Sequence, residues 1–387
     1  MSQLEYICSE KYFENLKKNK NIVCFGAGGK LRQALVLLDT MDIRPTVICD
    51  NNSELWGRSI SFKGKSFEII SYDEVKSNFE EYVILLTMSI RNAIETNQML
   101  RQKGEGHSIF QFCNPFKVDN FLIPSKDIDN NFNNFQDVYE KFADDTSRKL
   151  FELNLNYKLT GDMFDLYQMT EGNTFFDEAI IGGRADSVYI DIGAYTGDTI
   201  LKYLEYCGGK YKYIYAFEAD RGNYDSLHNF IRYGRVDRVT LFNQALWSEK
   251  DKLNFYSITD NSEINYDSPN LFRSIDNAID NDTKFTREKK GGVYGKEEIQ
   301  VETLDNLLQG ECPTIIKINA LAADFQILRG SKKIIERCKP IIIMEHGVKP
   351  ENVLGVINFL RAVRSDYSFY LRQKEIFGDS KTVMYAV

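Results

Sequence analysis

Val188-Tyr-Ile-Asp-Ile-Gly-Ala-Tyr-Thr-Gly-Asp-Thr199, answered by Ile214-Tyr-Ala-Phe-Glu-Ala-Asp220, decides the fold of this chain. The first stretch is an apolar run that ends in an acid, passes through Gly193 and Gly197, and re-enters helical periodicity at Thr199. About twenty residues later a second apolar run ends in Glu218. A buried parallel strand, a glycine turn, a helix and a second strand would produce this pattern, and a carboxylate closing the second strand can bind a ribose diol. The spacing departs from the dinucleotide fingerprint, because the residue three beyond Gly197 is Ile200. Asp191 inside the turn would repel a pyrophosphate and suits an aminoacyl or ammonium group.

S-adenosylmethionine fits that chemistry, and the segment resembles motif one and its acidic follower in class I methyltransferases, specifically the FkbM family of sugar and natural-product O-methyltransferases. Further blocks agree in order: Asn243-Gln-Ala-Leu-Trp-Ser248, Val301-Glu-Thr-Leu-Asp305, Ile315-Ile-Lys-Ile318, Lys339-Pro-Ile-Ile-Ile-Met-Glu-His346, Tyr367-Ser-Phe-Tyr-Leu-Arg372 and Thr382-Val-Met-Tyr385. The resemblance implies a seven-stranded α/β domain that uses S-adenosyl-L-methionine to methylate a sugar or nucleotide-linked sugar in bacterial glycan or secondary metabolism. It places Asp191, Gly193, Ala194, Tyr195 and Thr196 around the methionine moiety, Glu218 and Ala219 at the ribose, and Gln244, Ala245 and Leu246 at the adenine.

Lys317 and Asn319 end the fourth strand, where groups facing the transferred methyl are expected. The family's segment has the form Lys-x-Asp-x-Glu-Gly-x-Glu, and here it is Lys317-Ile-Asn319-Ala-Leu321-Ala-Ala-Asp324. Asn319, Leu321 and Ala322 thus replace an acid, an acid and a glycine, and Asp324 alone keeps a carboxylate. A sugar hydroxyl is a poor nucleophile until a base or metal withdraws its proton. Asn319 can orient a hydroxyl but cannot take that proton. Asp324, Glu345 and His346 remain as candidate bases, and no metal site is expected. A second function class follows from the altered segment: an impaired homologue that binds the cofactor or a nucleotide sugar as a partner protein. A nicotinamide oxidoreductase would need a hydride-transfer constellation such as Tyr-x-x-x-Lys, which does not stand out.

The 387 residues predict two domains. A net charge of −8 argues against a sequence-independent grip on nucleic acid. No apolar run reaches the roughly 18 residues of a membrane span, and the N-terminal residues lack a secretory pattern, so a cytoplasmic location is expected. The seven cysteines are scattered without a CxxC pair, so neither zinc nor disulfides are expected.

The fold expected is α/β, with two doubly wound sheets. Residues 1–115 read as a small parallel, Rossmann-like domain, 116–159 as linker and helical connection, and 160–387 as the methyltransferase-like domain with a polar insertion at 259–298. In the first domain, Gly26-Ala-Gly-Gly29 follows strand Asn21–Phe25, and Ile48-Cys-Asp50 closes the next. With Trp56-Gly57 this block resembles a Rossmann-like domain found beside bacterial sugar-modifying transferases. Either the amides after Gly26 (at Gly28 and Gly29) hold phosphate while Asp50 takes a ribose hydroxyl, or the domain serves docking alone. Tyr256, Tyr266 and Tyr294, in or beside the insertion, are candidates for stacking on a sugar ring. A homodimer is also expected, by the analogy that an extra Rossmann-like domain offers an edge or helix face.

Overall fold

The computed structural model describes residues 16–19, 21–40, 42–104, 109–111, 125–160, 164–170, 175–183, 186–258, 294–320, 323–347, 350–377 and 379–387. Tyr266, Leu321, Ala322 and the insertion between 259 and 293 lie outside them. The chain divides into two compact units, one of Met1–Tyr139, Lys149–Thr170 and Ile376–Asp379, the other of Glu140–Arg148, Glu171–Glu375 and Ser380–Val387.

The first unit holds a six-stranded sheet in the order β3-β4-β2-β1-β5-β6. Strands β1 (Ile22–Phe25), β2 (Val47–Cys49) and β5 (Val83–Leu86) are apolar and buried along their length, as strands covered on both faces must be. Cys24, Ile48 and Leu85 point to the side packed by Leu31, Leu35 and Leu38 of helix α1 (Gly29–Thr40). Val23, Phe25 and Ile84 point to the opposite side, against Val75 of α2 (Tyr72–Asn78) and Leu100 of α3 (Ile90–Gln102). β4 (Lys65–Ile70) and β6 (Ile109–Gln111) pair parallel at the flanks.

The sheet is not wholly parallel as expected: β3 (Ser59–Phe62) runs antiparallel to β4. Lys63 and Gly64 join them with φ of 48° and 76°, the two left-handed residues of a tight hairpin. Half-exposed alternation in β3 makes a weaker sequence signal than a buried run.

The stretch read as linker and helical connection contains a 17-residue helix, α4 (Ser125–Lys141). Buried Phe135, Val138 and Phe142 recur at helical spacing, a pattern masked in the sequence by many Asn and Asp residues. Helix α5 (Asp145–Thr160) follows, and the Phe135 and Phe151 rings lie 6.4 Å apart.

The second unit is built on seven strands in the order β15-β16-β14-β13-β7-β8-β9. Here β7 is Val188–Ile192, β8 Tyr213–Phe217, β9 Val239–Phe242, β13 Ile315–Ile318, β14 Ile341–Gly347, β15 Phe369–Phe377 and β16 Asp379–Ala386. β9, β8, β7, β13 and β14 are parallel, and β16 returns antiparallel to β14. This is the doubly wound, seven-stranded α/β arrangement expected. Helix α6 (Phe164–Gln168) belongs to the first unit; in the second, α7 (Glu178–Ile181) comes before β7, and α8 (Asp198–Cys207) and α9 (Arg221–Tyr233) follow β7 and β8. A separate three-stranded sheet joins β10 (Ala245–Leu246), β12 (Tyr294–Glu302) and β11 (Asp251–Ile258). Ordered strand therefore resumes at Tyr294, within the expected insertion, where Tyr294 pairs with Ile258 and Tyr256 with Lys296.

Helices α10 (Leu304–Leu307), α11 (Asp324–Arg329), α12 (Lys332–Cys338) and α13 (Pro350–Val363) complete the unit. Contrary to expectation, Cys312 and Cys338 form a disulfide. Cys312 lies three residues before Ile315 and Cys338 three before Ile341, and those two isoleucines are register partners in β13 and β14. Strand pairing therefore brings the thiols together across 26 residues of sequence, which no local spacing signals. Among the described residues, no helix is long and apolar enough to cross a membrane.

Candidate active site

One row of the sheet fixes the site. Phe217, Ile192, Ile318 and Met344 are register neighbours across β8, β7, β13 and β14. The residues that follow them, Glu218, Gly193, Asn319 and Glu345, emerge together at the carboxyl edge of four parallel strands, where open α/β sheets bind ligands.

The turn after β7 is shaped by packing. Gly193 has φ of 70°, and a Cβ there would lie 1.9 Å from the Asn319 carbonyl oxygen. Gly197 has φ of 99°, and its Cβ would meet the Phe230 ring at 2.4 Å. Both positions therefore exclude side chains. Tyr195 also adopts a left-handed backbone, with φ of 49° and its ring 49% exposed. Ala194 is buried and its N–H donates to the Phe217 carbonyl; Thr196 is half-buried.

Glu218 ties this turn to β8. Its Oε2 accepts the Tyr195 N–H at 2.8 Å and its Oε1 the Asp220 N–H at 2.9 Å. Burial pushes the carboxyl above its ordinary range, while those two amides and the Asn223 side chain pull the other way. An ionised carboxylate offers about four lone-pair positions, so acceptor capacity remains for a ribose hydroxyl. Half-buried Ala219 continues the loop. Asn243 steadies it, its Nδ2 donating to the carbonyls of Glu218 and Ala219. Sequence reasoning quoted Asn243 without assigning it this task, because its role depends on β9 lying beside β8.

Two expected site residues face elsewhere. Asp191 Oδ1 lies 2.9 Å from Lys317 Nζ, its Oδ2 accepts the Thr199 hydroxyl at 2.8 Å, and the carboxylate is fully buried. Lys317 Nζ also donates to the Gly193 carbonyl at 2.9 Å and is equally buried. The ammonium that Asp191 suits is thus the protein's own, and Lys317 forms the floor of the turn instead of reaching a reacting atom. Burial raises the Asp191 pKa, against the pull of Lys317 and Thr199.

The proposed adenine residues divide similarly. Gln244 commits its Nε2 to the Ala245 and Gln300 carbonyls, at 3.0 and 2.7 Å. Ala245 and Leu246 form β10, paired with β12, with Leu246 buried.

At the end of β13, Asn319 Nδ2 donates to Glu345 Oε2 at 3.0 Å. Asp324 Oδ1 accepts the Ala320 N–H at 2.6 Å. Desolvation drives the Asp324 carboxyl up to about 7, opposed by the Ala320 amide and Lys317 and aided by Glu345. A carboxylate and its conjugate acid are then both populated at neutral pH, as a general base requires. His346 continues β14 opposite Thr382, and its side chain lies outside the described residues. Asn319, Asp324 and Glu345 are thus brought together, with Lys317 beneath them. Among the described residues, no cluster of His, Cys, Asp and Glu could hold a metal.

Comparison with known proteins bears on the domain and its fold. Residues 191–369 match the family described as the methyltransferase FkbM domain. No curated protein sequence matches the chain. The methyltransferase FkbM of Methylobacillus flagellatus KT is 18% identical, with a TM-score of 0.65 over 100% of this chain and 96% of that one. That likeness is one of fold. A putative methyltransferase from Streptococcus mutans in complex with SAH is 13% identical over 52% of this chain and 89% of that one, with a TM-score of 0.30. The precorrin-6y C5,15-methyltransferase of Geobacter metallireducens GS-15 is 12% identical over 53% and 81%, with a TM-score of 0.31.

Proposed function

We propose, from the match of residues 191–369 to the FkbM methyltransferase domain, that the chain is an S-adenosylmethionine-dependent O-methyltransferase acting on a sugar or nucleotide-linked sugar. The observation that carries the reading is Glu218, a buried carboxylate at the end of β8 held by the amides of Tyr195 and Asp220. Its remaining acceptor capacity fits a ribose hydroxyl of an adenosyl group, and the glycine turn leaves no side chain at Gly193 and Gly197. Bound S-adenosylmethionine would supply an electron-poor methyl carbon attached to sulfur.

The chain's own residues then prepare the acceptor. Asn319, its amide nitrogen held by Glu345, keeps its carbonyl oxygen to orient a hydroxyl. Asp324 takes the hydroxyl proton, its affinity tuned by burial to the neutral range. Family acids missing at Asn319 and Leu321 are thereby replaced in function by one carboxylate.

Mass-spectrometric assay of methyl transfer to free, UDP-linked and GDP-linked sugars tests this reading. Turnover that falls about 100-fold or more in Asp324→Asn is expected for loss of a general base. S-adenosylhomocysteine binding without turnover on any sugar would instead favour the second reading, a cofactor-binding partner protein.

A further inference from the structure

The first unit repeats the Glu218 cradle. Phe25 at the end of β1 pairs with Cys49 at the end of β2, as Ile192 pairs with Phe217. Gly26 N–H donates to the Cys49 carbonyl at 2.8 Å, as Gly193 N–H does to Phe217 at 3.0 Å. Asp50 follows β2 as Glu218 follows β8. Its Oδ2 accepts the Ala27 N–H in the glycine turn at 2.7 Å, and its Oδ1 the Asn52 N–H two residues on at 2.8 Å. Glu218 makes the same two kinds of bond, to the turn and to the residue two beyond itself.

Two differences give the first cradle its own chemistry. Beneath the turn, the position of Asp191 is taken by Cys24, and the register partner corresponding to Lys317 is Leu85. Burial pushes the Cys24 thiol up to about 12, so no charge lies under this turn. The glycines also differ. Gly193 and Gly197 are demanded by contacts within the protein, whereas a Cβ at Gly28 or Gly29 would meet no atom within 4 Å. Neither has the positive φ that would require glycine. Gly28 precedes the helix, where glycine caps better than alanine, but Gly29 lies in the first turn, where glycine costs stability relative to alanine, so folding gives no reason for Gly29. Close approach of a ligand to the backbone does.

These amides open α1, a 12-residue helix with no acid in its first turn, which favours an anion. Beside Asp50, the Trp56 indole donates its N–H to the Asp50 carbonyl at 2.8 Å, which holds a ring that is 43% exposed next to the acid. Such a fixed aromatic face suits a base.

We propose that the first unit binds a phosphorylated ribonucleoside, with Asp50 on the ribose diol, the Gly28–Gly29 backbone at the phosphate and Trp56 against the base. The site is independent of the methyl-transfer reading.

Calorimetry on the full chain with AMP, ADP, UDP, GDP, 2′-deoxyADP and UDP- and GDP-hexoses tests it, with S-adenosylhomocysteine as comparator. At least one ribonucleotide is expected to bind at one site per chain, quenching Trp56 emission, and ADP should bind at least about 10-fold more tightly than its 2′-deoxy form. Gly29→Ala should lower that affinity at least about 10-fold with an unchanged or higher Tm, and Glu218→Gln should leave it intact. The mono-, di- and sugar-linked arms identify which phosphate the turn prefers. Failure of every ribonucleotide to bind at millimolar concentration overturns the proposal. So does binding unaffected by both Asp50→Asn and Gly29→Ala, or a Gly29→Ala protein that loses Tm, since that glycine would then serve the fold. S-adenosylhomocysteine failing while a ribonucleotide binds would remove the methyl-transfer reading alone.

Discussion

Lys317 and Asp191 meet at 2.9 Å with neither side chain more than 2% exposed, and the same ammonium holds the Gly193 carbonyl at 2.9 Å. An internal charge pair therefore locks the fourth strand of the domain to the turn that shapes the proposed cofactor cleft. Removing one partner strands a buried charge, which is typically far more costly than replacing both. Lys317→Met is expected to lower unfolding free energy by about 3–5 kcal/mol in urea titrations. Lys317→Met with Asp191→Leu should recover most of that loss; a double variant as unstable as the single one would show the pair is not coupled.

The glycine turn makes opposite predictions at neighbouring positions. Gly193→Ala forces a Cβ onto the Asn319 carbonyl and should reduce Tm sharply, because backbone must move. Tyr195 holds a left-handed backbone that a tyrosine disfavours. Tyr195→Asn, a residue tolerant of that region, is expected to raise stability by up to about 1 kcal/mol. Differential scanning calorimetry of both variants checks the pair, and a Tyr195→Asn protein that melts earlier would show the ring contributes more than its backbone costs.

Asp324 sets a pH dependence with a definite sign. Its folded-state pKa is raised from 3.8 to about 7, so the fold favours the protonated form. Its stabilising contribution is complete below pH 4 and is lost as pH rises through 7. Asp324→Asn should therefore lose less stability than wild type between pH 5 and 8. Methyl transfer should do the reverse in the wild type, rising with an apparent pKa near 7 as the base ionises. A wild-type rate flat from pH 5 to 8 would remove Asp324 from that role.

The Cys312–Cys338 bond encloses β13 and the Asn319–Asp324 segment within its 26-residue separation. Closing a loop of that length stabilises by about 3 kcal/mol in chain-entropy terms. Dithiothreitol, or Cys312→Ser, should lower Tm accordingly, with two thiols released on reduction. An unchanged Tm after confirmed reduction would contradict the assignment.

Much of this was legible in the sequence, for identifiable reasons. Buried parallel strands such as Val188–Ile192 and Tyr213–Phe217 are unbroken apolar runs, and the turn glycines are forced by sterics, so strand, turn and terminal acid read directly. Strand order made the rest invisible. Nothing local says that Lys317 stands opposite Asp191, that Asn243 reaches back to the Glu218 carbonyl, or that Cys312 and Cys338 share a register row. Helix α12 carries only one short apolar pair, Ile334 and Ile335, and so leaves little periodicity to read. Asn and Asp similarly hid α4. The Asp324 carboxyl also feels Lys317 and Glu345 from β13 and β14, which no spacing encodes.

The central claim is that the crevice at the end of β7 and β8 holds an adenosyl ribose on Glu218. Isothermal titration of S-adenosylhomocysteine into wild-type protein and Glu218→Gln tests it most directly. Saturable one-site binding that weakens at least about 10-fold in the variant, with folding intact, is the expected result. Binding of equal strength in both proteins, or none in the wild type, would contradict it.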